Sequence, residues 1–118
     1  MKKQIEAVLI LHVINYVDST KEKMLTALQE KLSCRKRVSV FFVHAEQYWK
    51  IPEHTRCVFK LVFESDDESL IEELPCFLGV KKFSLLGENN VVIWDKKTHG
   101  GVFLNENIEW VHAYLGDE

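Results

Sequence analysis

The chain has 118 residues, of which 47% are apolar and 28% charged, with five glycines and two prolines. This composition excludes a disordered or collagen-like chain, and the length predicts one domain that spans residues 1–118. The net charge of −3 argues against a nucleic-acid-binding protein of the usual kind, whose affinity comes mostly from basic side chains that neutralise phosphates.

The charged residues are unevenly distributed along the sequence. Residues 1–63 contain 11 basic and 6 acidic side chains, whereas residues 64–118 contain 4 basic and 12 acidic ones. The molecule is therefore dipolar if the two halves occupy different faces. A basic run at residues 35–37 precedes a strand with two phenylalanines, but the glycine-containing consensus of RNA-binding sheets is missing from the sequence. We do not expect the protein to bind nucleic acid.

The three cysteines, Cys34, Cys57 and Cys76, are widely spaced, which fits neither a disulfide framework nor a zinc motif. We expect free thiols and a cytoplasmic location. The apolar run at residues 7–14 is interrupted by His12, and no signal-peptide cleavage site follows it, so we interpret it as a buried strand. No run reaches the ~18 apolar residues of a membrane span, and we expect no membrane association.

The first half of the chain predicts two strands around a helix, followed by a third strand. Residues 5–17 are apolar on both alternating faces, which is typical of a central strand. Ser19 and Glu22 form a capping box for a helix that extends to about residue 33. Residues 38–43 form a second apolar run, and residues 55–63 alternate with a period of two.

A second capping box at Ser65 predicts a helix over residues 66–78, kinked or split by Pro75, and residues 80–86 then form a fourth strand. This β-α-β-β-α-β order indicates an α+β fold, the ferredoxin-like split β-α-β sandwich, with both helices on one face. Beyond it, residues 91–94 and 102–104 predict a β-hairpin. The spacing of Ile108, Val111 and Leu115 predicts a final helix, so the last third is a hairpin-and-helix extension.

The five histidines, His12, His44, His54, His99 and His112, show no zinc-binding spacing. We expect His12 to be a buried histidine with satisfied hydrogen bonds. No nucleophile, base or cofactor motif is recognisable, so we expect no enzymatic activity, no cofactor and no metal. A small enzyme that uses His44 or His99 remains an alternative.

Two features are not explained by folding alone. Six acids fall within ten residues from Glu64 to Glu73, without a base among them, and two large aromatics occupy the loop before Pro52. Dense acids repel one another, and aromatics are enriched at protein interfaces. The candidate protein-binding residues are Asp66, Asp67, Glu68, Glu72, Glu73, Tyr48 and Trp49.

These features favour a non-enzymatic protein-binding module: a small cytosolic inhibitor or immunity protein that neutralises a basic partner such as a nuclease toxin. The acidic helix would complement the basic surface of that partner. A ferredoxin-like domain that senses a small molecule and dimerises through its open sheet face is the alternative from another class. The split β-α-β order alone does not distinguish the protein-binding module from the small-molecule sensor, because many unrelated functions share it.

Overall fold

Strands dominate the computed structural model, which describes residues 4–34, 37–65, 67, 70–86 and 91–116. Its elements are, in chain order, β1 (Ile5–Val13), α1 (Asp18–Ser33), β2 (Val38–Gln47), β3 (Thr55–Phe63), α2 (Leu70–Phe77), β4 (Ser84–Leu86), β5 (Val91–Asp95), α3 (Lys96–His99) and β6 (Ile108–Leu115).

The six strands form one antiparallel sheet with the order β2-β3-β1-β6-β5-β4. The predicted α+β class is confirmed, but the ferredoxin-like β-α-β-β-α-β topology is wrong. That topology requires the fourth strand to pair with the first. Here β4 lies at the far edge of the sheet, and β6 is the strand that pairs with β1.

The prediction that β1 lies in the interior of the sheet is confirmed. β1 pairs with β3 on one side and with β6 on the other. The strand is shorter than predicted because Asn15 adopts a positive φ of 57°, which ends the extended backbone. Alternate β1 residues face opposite sides of the sheet, and nearly all of them are buried on both.

The predicted C-terminal helix is wrong, because this segment is strand β6. A register shift places Ile108 opposite Val13 and Trp110 opposite His12, which leaves Glu109 as an extra residue. This bulge lets Ile108 and Val111 both face the core although they are three residues apart. Their three-residue spacing therefore matches the periodicity of a helix, although the segment is a strand.

The predicted hairpin at residues 91–94 and 102–104 also forms differently. β5 pairs with β4 and β6, and residues 102–104 are not a strand. Between them, the predicted turn contains the short helix α3, which Asp95 caps by accepting bonds from the N–H groups of Lys97 (2.8 Å) and Thr98 (3.4 Å). The C-terminal third thus adds strands to the sheet where we predicted a hairpin-and-helix extension.

The first predicted capping box is placed differently in the structure, and the second lies partly outside the described residues, which do not include Glu68. α1 is preceded by Val17, whose N–H donates to the Thr20 hydroxyl at 2.9 Å, so the helix starts one residue before the predicted cap at Ser19. The Ser65 hydroxyl accepts from the N–H of Asp67, and the described part of α2 begins at Leu70. Most of the predicted helix start at residues 66–69 lies outside the described residues.

Helices α1 and α2 pack on the same face of the sheet, as predicted. They bury Met24, Leu28 and Leu32 from α1, and Leu70, Ile71 and Leu74 from α2, in one cluster with the sheet. We call this side the covered face. The opposite side, the open face, has a separate small cluster of Val8, Ile10 and Val58, with the Tyr114 ring packed against it.

The free edge of β2 is partly occupied by a side chain from α1. Gln29 Nε2 donates to the Val38 carbonyl at 2.9 Å, and Gln29 Oε1 accepts from the N–H of Val40 at 3.1 Å. The amide thus bonds to β2 as a neighbouring strand would. This arrangement blocks strand addition at the first half of that edge.

The three cysteines are free thiols, and only Cys57 is buried. Burial raises the pKa of the Cys57 thiol to about 12, which leaves it protonated and unreactive near neutral pH. Among the helices that the structure describes, none combines the length and the apolar character needed to cross a bilayer.

Candidate functional site

The acidic segment is only partly described by the structure. Asp66 and Glu68 lie outside the described residues. Asp67 and Glu73 are exposed, while Glu72 is half-buried on α2. Glu64, the first acid of the predicted run, lies 3.7 Å from Arg37. Part of the predicted acidic density is therefore balanced by a base from a distant part of the sequence.

The two aromatics that we predicted as interface anchors have different environments. Both lie in the turn between β2 and β3, which we call the 48–54 turn. The Tyr48 ring packs against His12 with centroids 4.6 Å apart, whereas Trp49 is 80% exposed. The Tyr48 ring therefore covers His12 at the end of the sheet, and the exposed Trp49 side chain is available to contact another protein.

The structure does not bring the acidic segment and the aromatic turn together. The turn precedes β3 and Glu64 follows it, so the nine residues of β3 separate them by about 30 Å. In addition, α2 lies on the covered face, while Tyr48 contacts His12 on the open face. The predicted binding residues that the structure describes thus belong to two surfaces.

Exposed apolar side chains are concentrated in β2 and the 48–54 turn. Four large ones occur within eleven residues: Phe41 (52% exposed), Val43 (48%), Trp49 (80%) and Ile51 (41%). We call these four residues the hairpin surface. Val43 is exposed because a register shift between Phe42 and His44 makes it the extra residue of a bulge.

A cleft of about 360 Å³ lies beside this surface, at one end of the open face. His12 of β1 and Trp110 of β6 are direct cross-strand partners and form its floor. Tyr48, Ile51 and His54 form the wall on the side of the turn. We call it the His12 cleft.

The opposite rim of the His12 cleft carries charged side chains of both signs. Asp95 caps α3, and Glu109 lies 3.6 Å from Lys96. Lys97 completes this rim and is exposed. Glu109 reaches the rim because it is the bulged residue of β6, so the same bulge that shaped the strand also shapes the cleft.

His12 is 1% exposed, and neither of its ring nitrogens has a hydrogen-bond partner among the described residues. Burial was predicted correctly, whereas none of the described protein groups supplies the hydrogen bonds that we predicted for its nitrogens. The ring is enclosed by Tyr48, by Trp110 at 4.4 Å and by His54 at 5.7 Å between centroids. A buried polar atom without a partner costs ~1–3 kcal/mol, so this position is energetically unusual.

Desolvation, together with the nearby His54, Arg56 and His112, lowers the pKa of His12 from 6.5 to about 4. The imidazole is therefore neutral at physiological pH, with one nitrogen protonated and the other carrying a lone pair. Desolvation and Arg56 also lower the pKa of His112, whose ring follows Trp110 on the open face at 5.7 Å.

The two histidines of the enzyme alternative, His99 and His44, both lie beside polar groups of the protein. His99 Nδ1 accepts from the N–H of Asp95 at 2.9 Å, so the neutral ring carries its proton on Nε2 and donates it to the Ser84 hydroxyl at 2.8 Å. A ring in this tautomer has no lone pair to accept the proton of Ser84. His44 Nε2 lies 3.8 Å from Glu46 on the surface. Neither arrangement supports the enzyme alternative.

Sequence reasoning missed the convergence of His12, His54 and Trp110. These residues are distant in sequence, and β-sheet pairing across β1, β3 and β6 brings them together. The only available signal was a histidine within an otherwise apolar strand.

In the described part of the chain, no group of three or more His, Cys, Asp or Glu side chains is placed to hold a metal ion. No protein-family model, no curated protein and no solved structure matches this chain.

Proposed function

We propose that the protein is a non-enzymatic protein-binding module that contacts its partner through the hairpin surface. The observation that carries this proposal is Trp49, a large aromatic side chain left 80% exposed at a turn. Tryptophan is the residue type most enriched at positions that dominate protein-binding energy. The three other exposed apolar residues of the hairpin surface extend the contact beyond a single side chain.

A more specific form of this proposal is an inhibitor or immunity-type protein that neutralises a basic partner such as a nuclease toxin. Exposed Asp67 and Glu73 support it, and α2 has no basic residue in its last turn. This acidic surface is separate from the hairpin surface, so it would act by steering the partner or by a second contact. The three free thiols support a cytoplasmic site of action.

The test begins with affinity capture from the native host and continues with a purified complex. Each protein captured in stoichiometric amount is identified, produced separately and titrated against wild type, Trp49→Ala and Val17→Ala. Val17 is the matched control, because it is an exposed apolar residue (59%) at the start of α1, outside the hairpin surface. We expect Trp49→Ala to weaken binding about 30-fold or more, equivalent to ~2 kcal/mol.

The acidic surface is tested in the same titration with Glu72→Lys and Glu73→Lys together. If the partner is basic, this variant associates more slowly, and the difference from wild type diminishes as salt is raised. Unchanged affinity of Trp49→Ala for a reconstituted partner would overturn the proposed contact surface. Unchanged association of the charge-reversed variant would overturn the basic-partner form alone.

A further inference from the structure

Three enclosed ring nitrogens in the His12 cleft have no hydrogen-bond partner among the described residues. They are Nδ1 and Nε2 of His12 and Nδ1 of His54. The two rings lie 5.7 Å apart and both line the cleft. Native proteins pair nearly all buried polar atoms, so an unpartnered cluster beside a cleft indicates a place where a ligand supplies the missing bonds.

The chemistry of His12 limits which ligands fit. Its low pKa keeps the ring neutral, so it offers one N–H donor and one lone-pair acceptor. The complementary group must then contain both an acceptor and a donor. A carboxylate is acceptor-only and an ammonium donor-only, so each could satisfy one kind of ring nitrogen but not both.

The rim of the cleft carries both signs of charge, with Asp95 and Glu109 beside Lys97, so it favours neither an anion nor a cation. An anion would meet the two carboxylates as well as the Lys97 ammonium. A cation would meet Lys97, and the Glu109 carboxylate is already paired with Lys96 at 3.6 Å. The rings of Tyr48 and Trp110 and the side chain of Ile51 favour a flat, partly apolar molecule.

We propose that the His12 cleft binds a neutral carboxamide. Its carbonyl oxygen accepts from an imidazole N–H of this cluster, and its amino group donates to an imidazole nitrogen that carries a lone pair. The carboxamide belongs either to a free small molecule or to an Asn or Gln side chain of the protein partner. In the second case the inference rests on the proposed function, because Tyr48 and Ile51 belong to the turn that carries Trp49.

The ring nitrogens are enclosed, so a ligand reaches them only when the neighbouring wall moves. Tyr48 is the side chain positioned to move, because it lies in a turn without regular secondary structure and is half-buried. Its backbone N–H donates to the His54 carbonyl at 2.9 Å, which couples the position of Tyr48 to that of His54. Binding therefore perturbs both residues together.

The test uses three probes of nearly the same shape: neutral benzamide, anionic benzoate and cationic benzamidine. Each is titrated into the free protein while the ¹⁵N resonances of the histidine rings are followed by NMR. We expect benzamide to bind saturably and to shift the ring nitrogens of His12 and His54. Benzoate and benzamidine should bind at least tenfold more weakly. Equal or tighter binding of either charged probe, or no shift with benzamide, overturns the proposal.

Two variants assign the binding to the ring nitrogens. His12→Phe keeps an aromatic ring and removes the nitrogens, and we expect it to weaken benzamide binding at least tenfold. His44→Phe is the matched control on the neighbouring hairpin strand and should bind as wild type does. If His12→Phe does not fold, the ¹⁵N shifts of the wild-type rings decide the question.

A capped glutamine, N-acetylglutamine methylamide, distinguishes the two sources of the carboxamide. Tighter binding than benzamide supports a partner side chain, and weaker binding supports a free aromatic amide. These titrations need no protein partner, so their failure is distinguishable from failure of the proposed function. Binding of neither amide overturns the carboxamide inference and leaves the Trp49 test unaffected.

Discussion

The two faces of the sheet are buried in different ways. On the covered face, Leu9 and Leu11 of β1 are enclosed by helix side chains within one large cluster. On the open face, Val8 and Ile10 of the same strand are 2% and 3% exposed, yet among the described residues their cluster contains none from a helix. Neighbouring side chains of the sheet, such as Tyr114, cover them instead.

This difference indicates how the molecule divides its tasks. The covered face is packed as a protein interior, where each atom removed leaves a cavity. The open face combines small apolar clusters with polar rings, charged side chains and the His12 cleft. We therefore expect the largest losses of stability from substitutions on the covered face, and effects on binding from substitutions at exposed positions of the open face.

The largest contrast between the faces should come from a pair of phenylalanines on adjacent strands. Phe59 of β3 is fully buried on the covered face, whereas Phe41 of β2 is 52% exposed. Phe59→Ala should lower the free energy of unfolding by ~3–5 kcal/mol, and Phe41→Ala by about 0.5 kcal/mol or less. Urea unfolding measures both losses of free energy, and equal losses would contradict the expectation that the covered face contributes more to stability.

A smaller effect is expected from the pH dependence that His12 contributes. Its folded-state pKa of about 4 lies below the unfolded value of 6.5, so acid protonates the unfolded chain first. This contribution to stability is complete above pH 6.5 and is lost as the pH falls towards 4. Between pH 7 and pH 5 the loss amounts to about 2 kcal/mol.

The matched variant for this prediction is His12→Phe, which lacks the titrating group. The free energy of unfolding is measured at pH 7 and at pH 5. Its decrease between these two values should be about 2 kcal/mol smaller in the variant than in wild type. At pH 7 the variant should also be more stable by ~1 kcal/mol, because it removes two unpartnered nitrogens. A parallel pH dependence would mean that His12 is not desolvated in the folded protein.

The smallest effect concerns the edge of the sheet where the two faces meet. Gln29→Ala should lower the free energy of unfolding by ~1 kcal/mol, since it leaves the Val38 carbonyl and the Val40 N–H without their partner. It should also increase self-association, measured by sedimentation, because the β2 edge becomes free to pair. Glu30→Ala, an exposed neighbour on α1, serves as the control and should change neither property.

Much of the strand pattern could be predicted from local sequence, but the pairing could not. The alternation in residues 55–63 correctly predicts β3, and the apolar character of both faces correctly places β1 inside the sheet. The spacing of Ile108 and Val111 led to the wrong prediction of a C-terminal helix, because a bulge at Glu109 shifts the alternation of the strand by one residue. Such a bulge depends on the partner strand, which periodicity along one segment does not reveal.

Individual residues of the candidate site were predicted from the sequence, but their arrangement was not. Tyr48 and Trp49 stood out as aromatics in a loop, but their different exposure depends on whether a ring finds a partner across the sheet, as Tyr48 does in His12. Likewise, Glu64 lies beside Arg37 because backbone pairing between the start of β2 and the end of β3 brings them together.

By itself, the sequence determined the α+β class, the interior position of β1 and the shared face of the two main helices. These follow from apolar periodicity, because an element with one apolar face must bury it. Only the tertiary structure decided that β6 pairs with β1 and that His12, His54 and Trp110 enclose a cleft. Strand order and register are set by contacts between distant segments, whose energies no single segment of the sequence contains.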